Sequence, residues 1–73
     1  MITILDIYEG SEVLYNGYSI RDAKRAIRQR IEDTSGECAL DYTTEGTPFE
    51  KEAWGAVLSE YIEKVADEVF EEV

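Results

Sequence analysis

Histidine is missing from this 73-residue chain, and cysteine, proline, methionine and tryptophan occur once each. Without histidine the chain lacks both the commonest general base near neutral pH and the commonest metal ligand. The single cysteine, Cys38, excludes an intrachain disulfide, and a lone thiol suits a reducing compartment. No run of about 18 apolar residues is available to cross a bilayer as a helix. The opening MITILDIYEG carries no basic n-region of a signal peptide. The expectation is a cytoplasmic protein with no membrane contact.

Motifs of chemistry are equally scarce. There is no Gly-rich phosphate loop, no nucleophile elbow and no zinc-ligand spacing. Asp33-Thr34-Ser35-Gly36-Glu37 has the composition of a calcium loop but not its full ordered ligand set. Cys38 has no base beside it in the sequence and reads as a small hydrophobe on a strand. We therefore expect no catalytic residue, no metal and no cofactor, and a protein that is not an enzyme.

What the chain does have is acid. Seventeen aspartates and glutamates face seven bases, for a net charge of −10 and a pI near 4.2. Such a surface repels phosphate and anionic lipid and attracts basic partners. Hydrophobic residues make up 44% of the chain, enough for a packed core in a single domain spanning residues 1–73.

Period and punctuation predict five elements. Ile2, Ile4, Asp6 and Tyr8 alternate with Thr3, Leu5 and Ile7, a strand over residues 2–8. Glu9-Gly10-Ser11 is a turn, and residues 12–18 form its hairpin partner, with a bulge or bend expected at Asn16-Gly17. Ser19 with Asp22 is a capping-box variant opening a helix whose stripe is Ile20, Ala23, Ile27 and Ile31. That helix should end near Thr34-Ser35-Gly36, with Gly36 as the left-handed cap. Cys38, Leu40 and Tyr42 mark a third strand. Thr47-Pro48-Phe49-Glu50 then starts a helix running almost to the C-terminus. Its apolar face is Trp54, Val57, Leu58, Tyr61, Ile62, Val65 and Val69, and close packing would account for Gly55 in its interior. The expected fold is α+β, ordered ββαβα: a three-stranded antiparallel sheet with two helices packed on one face. The tyrosines Tyr8, Tyr15, Tyr18, Tyr42 and Tyr61 are expected to pack rather than to stack on bases.

Charge is unevenly placed. Five of the seven bases lie between residues 19 and 31, where Arg21, Arg25 and Arg28 form a basic stripe at i, i+4, i+7. That stripe reads as a phosphate-binding edge or as a solvated face paired with the protein's own acids, and the negative field favours the second. On the last helix Glu60, Glu63, Asp67 and Glu71 fall in one column, about 16 Å long at about 1.5 Å per residue. Successive carboxylates are about 5–6 Å apart, comparable to phosphates along a strand. Glu52 extends the column, Glu68 and Glu72 flank it, and Phe70 beside it is a candidate aromatic anchor. Glu60–Lys64 is a favourable i, i+4 pair. Glu63–Asp67, Asp67–Glu71 and Glu68–Glu72 are unfavourable ones, and the last acids also oppose the helix dipole. Local rules broken together point to a functional surface, and the alternative reading is a polar face whose acids only keep the protein soluble.

In size and charge over its whole length the chain resembles the small inhibitors that bacteriophages encode against host defence enzymes, several of which mimic nucleic acid. The resemblance implies an anti-CRISPR or anti-restriction type of protein in the host bacterial cytoplasm. Its partner would be a basic protein with a nucleic-acid-binding groove, met by Glu52, Glu60, Glu63, Asp67, Glu68, Phe70, Glu71 and Glu72. The alternative is an assembly module, a homodimer in which the basic stripe of one copy meets the acidic column of another.

Overall fold

The computed structural model describes residues 1–71, apart from the side chain of Phe70. Its elements are β1 (Ile2–Asp6), β2 (Glu12–Gly17), α1 (Ile20–Thr34), β3 (Leu40–Thr44) and α2 (Pro48–Glu71). The three strands form an antiparallel sheet in the order β2-β1-β3. The expected ββαβα order and α+β class are therefore observed.

β1 is central because it is the most apolar strand, and its alternation decides which face is covered. Ile2 and Ile4 point inward and are fully buried. Ala23, Ile27 and Ile31 of α1 and Leu58 and Val65 of α2 close over them in one cluster. Fully burying an aliphatic side chain of this size is worth about 1.5–3 kcal/mol, so this seam carries most of the folding drive. Both helices lie on that side. The opposite face stays open, with Ile7 and Val13 exposed.

β1 stops at Asp6, two residues short of the expected end. The Asp6 carboxylate turns back to accept the Tyr8 N–H at 3.0 Å, a local bond that bends the chain out of the sheet. The same carboxylate accepts the Ala39 N–H at 3.3 Å and meets Arg30 Nη1 at 3.5 Å. Asp6 is buried, and these three partners are what make its burial tolerable. Arg30 is held in turn by Glu12 of β2, so one guanidinium ties α1 to both strands of the hairpin.

The bulge is displaced from Asn16-Gly17, which stay in register opposite Thr3 and Ile2. The register slips between Ile4, opposite Tyr15, and Leu5, opposite Val13, leaving Leu14 as the extra residue. Leu14 and Tyr15 both pack against the core. A strict two-residue period cannot turn two neighbours inward, and the additional residue resolves that conflict.

The helix ends follow their local chemistry. The Ser19 hydroxyl accepts the Asp22 N–H at 3.2 Å. At the other end of α1 the left-handed cap residue is Ser35 (φ 54°), one earlier than expected, with Gly36 (φ 87°) following it. The Gly36 N–H reaches the Ile31 carbonyl at 2.9 Å and the Ser35 N–H reaches Glu32, the paired bonds of a Schellman ending. At the start of α2 the capping box is reciprocal. The Glu50 N–H donates to the Thr47 hydroxyl at 3.2 Å and the Thr47 N–H donates to the Glu50 carboxylate at 3.4 Å.

Three residues expected to pack differ. Val57 is partly exposed on the flank of α2, and Tyr8 and Tyr18 stand in solvent, unlike Tyr15, Tyr42 and Tyr61, which pack on the core. Gly55 also needs no special space, because a Cβ there would meet the Tyr42 ring at an ordinary 3.6 Å. Gly55→Ala is therefore expected to stabilise the protein by about 0.5–1 kcal/mol, raising the thermal midpoint by several degrees. A lowered midpoint would show that the helix and the Tyr42 ring are closer than this packing allows.

Candidate functional site

α2 is the longest element, and about 1.5 Å per residue makes it roughly 36 Å long. Its inward side is fixed by Leu58 and Val65, which are fully buried, with Trp54, Tyr61, Ile62 and Val69 partly buried around them. At about 100° per residue, Glu60, Glu63, Asp67 and Glu71 fall within roughly 50° of the diametrically opposite direction. All four are exposed. The column expected from the spacing is thus a single outward ridge, and Glu52 is exposed on its flank further towards the start of the helix.

None of these five acids has an ion-pair partner among the described residues. Lys64 is exposed beside Glu60 but does not close the expected i, i+4 bridge. The like-charge pairs Glu63–Asp67 and Asp67–Glu71 therefore have no ion pair among the described residues to offset them, with Lys64 as the nearby cation. Each is unfavourable by a few tenths of a kcal/mol before salt screens it.

Glu68 does not belong to this ridge. It turns toward α1, where its carboxylate accepts from Arg28 Nη2 at 3.1 Å. Arg28 also donates from Nε to the Tyr61 hydroxyl at 3.0 Å and lies 3.5 Å from Glu32. The Tyr61 hydrogen bond first, and then Glu68, push the Arg28 guanidinium further towards its protonated form. Lys24 sits over the Tyr61 ring at 5.3 Å from its centroid and Arg28 at 5.8 Å, a cation–π arrangement on the inter-helix seam. Arg28 thus follows the favoured reading of the stripe, a face paired with the protein's own acids. It straps the two helices together through Tyr61 and Glu68, partners 33 and 40 positions away that sequence spacing does not show.

Of the stripe, Arg21 and Arg25 remain exposed, Arg21 with only a long 3.9 Å contact to Asp22. The expectations placed on Phe70 and Glu72 lie outside the described residues. Phe49 is the residue that spacing overlooked: it is 81% exposed on the first turn of α2. Its signal was present, since Phe49 lies seven and eleven positions before Ala56 and Glu60 and shares their helical face.

Elsewhere, Cys38 packs partly buried against the core. Among the described residues no group of three or more potential ligands is placed to hold a metal ion. No described helix is long and apolar enough to cross a membrane. No protein-family model matches the chain, and neither the curated proteins nor the solved structures give a match.

The strap and the stripe are separable by mutation. Arg28→Ala should lower the thermal midpoint clearly, whereas Arg21→Ala and Arg25→Ala should leave it within error. Combining Arg28→Ala with Glu68→Gln should then cost less than the two single changes added together. Equal effects at all three arginines would remove the distinction.

Proposed function

We propose that this chain is a non-enzymatic inhibitor that occupies the basic, nucleic-acid-binding groove of a host defence protein, with the outward carboxylates of α2 standing in for phosphates. Glu60, Glu63, Asp67 and Glu71 make the contacts and Glu52 supports them. A phage- or mobile-element-encoded protein acting in the host bacterial cytoplasm fits this role.

The observation that carries the reading is the contrast between acids on the same chain. Asp6, Glu12, Glu32 and Glu68 are matched to Arg30 or Arg28, while the ridge acids are aligned, exposed and unmatched among the described residues. A rigid row of charges on a helix meets a basic strip without the ordering cost that a flexible acidic tail would bear. The net charge of −10 adds long-range attraction to the same partner and speeds encounter. A homodimer joined by basic and acidic helix faces has less support, because Arg28 is already engaged within the chain.

The test uses immobilised protein and a bacterial lysate. A protein retained by the wild type should be released by about 0.5 M NaCl, where the Debye length is only a few ångströms. It should be displaced by duplex or single-stranded DNA, and lost when Glu63, Asp67 and Glu71 are changed together to lysine. The triple variant should keep its helical circular dichroism. Retention that survives the triple change, or that nucleic acid fails to displace, would overturn the reading.

A further inference from the structure

The outward face of α2 has two halves, and the acidic column fills only one, with Glu52 on the flank of the other. At about 100° per residue, Phe49, Ala53 and Ala56 lie within roughly 40° of the same direction as Glu60, Glu63, Asp67 and Glu71. All three are exposed, with Phe49 at 81% and Val57 flanking them at 39%. The line therefore runs apolar over about 10 Å and then acidic over about 16 Å.

The apolar half has no evident task inside the fold. A hydrophobic staple at this helix start would pair the residues at 46 and 51, which are Gly46 and Lys51, so Phe49 does not serve as one. The cap does not need it either, because Thr47 and Glu50 satisfy each other. That reciprocal bond holds the first turn in place and presents Phe49 on a defined helix. Ala53 and Ala56, both small, form a notch between Phe49 and Glu60 where a second backbone can approach closely.

We propose that this apolar half belongs to the same interface, and that the occupant is a helix of the partner with apolar side chains over Phe49, Ala53 and Ala56 and lysines or arginines along Glu60 to Glu71. The inference rests on the inhibitor reading above and extends it by giving the partner surface a shape. Charge complementarity selects this occupant. A second copy laid antiparallel would set its carboxylates on Phe49, and laid parallel would set carboxylate on carboxylate. Nucleic acid and anionic lipid are repelled by the acidic half. A helix that is apolar at one end and basic at the other satisfies both halves, in the way amphipathic helices are recognised along a groove.

Labelled synthetic helical peptides with a leucine–alanine half and a lysine–arginine half, made in both orders, test the arrangement by fluorescence anisotropy. A control peptide carries serine in place of leucine. At high salt, where the charge contribution is screened, one order should bind wild-type protein at least tenfold more tightly than the control. Phe49→Ser and Ala53→Glu should each abolish that advantage while the thermal midpoint stays unchanged. If the control binds as well as the leucine peptides, and only the Glu63, Asp67 and Glu71 reversal weakens binding, the apolar half is overturned and the acidic reading stands. If no peptide binds at low salt and the reversal has no effect, both fall. An apolar advantage that survives the charge reversal undiminished at low salt would overturn the single interface proposed here.

Discussion

The burial of Ile2 and Ile4 on the central strand, beneath both helices at once, is the contact on which the other arrangements depend. A chain this short covers only one face of its sheet, so both helices compete for the same seam and each must give it an apolar side. That requirement fixes the rotation of α2 about its own axis. Once Leu58 and Val65 point inward, Phe49, Ala53, Ala56 and the four acids have no direction left but outward. The candidate interface is thus a by-product of core geometry, and its rigidity comes from the core.

Around the seam, polar groups set the order of the elements. Arg30 reaches from α1 to Asp6 and Glu12, and Arg28 reaches from α1 to Tyr61, Glu68 and Glu32. The cations of α1 that enter ion pairs across the fold neutralise acids near the seam and leave the far side of α2 unmatched. Internal neutralisation and the outward acidity are two sides of one distribution: the cations gathered on α1 cannot also screen the far side of α2.

Much of this was legible in the sequence, where the interactions are local. Alternation in β1, the stripe of α1 and the Thr47–Glu50 box each depend on residues a few positions apart, and each formed as read. The exposure of the acidic column was readable for the same reason, because helical periodicity alone determines it. Most misplaced features depend on partners distant in the chain, the cap at Ser35 being a local exception. Asp6 ends β1 early because Ala39 and Arg30 are there to share its carboxylate. Leu14 rather than Asn16-Gly17 carries the bulge because the core wants two neighbouring side chains. Glu68, expected on the flank of the column as part of the partner surface, is drawn to Arg28 across the inter-helix seam instead. Phe49 was seen only as part of a cap, although its spacing to Ala56 and Glu60 was already visible.

The central claim is that the outward face of α2, from Phe49 to Glu71, is the surface on which a partner sits. Titrating isotopically labelled protein with the partner recovered by DNA-displaceable capture, and following backbone amide shifts by NMR, tests it most directly. The account predicts shifts concentrated at Phe49, Ala53, Ala56, Glu60, Glu63, Asp67 and Glu71, with the open sheet face around Val13 and Thr43 silent. Shifts centred instead on that sheet face, or on Arg21 and Arg25 of α1, would contradict it.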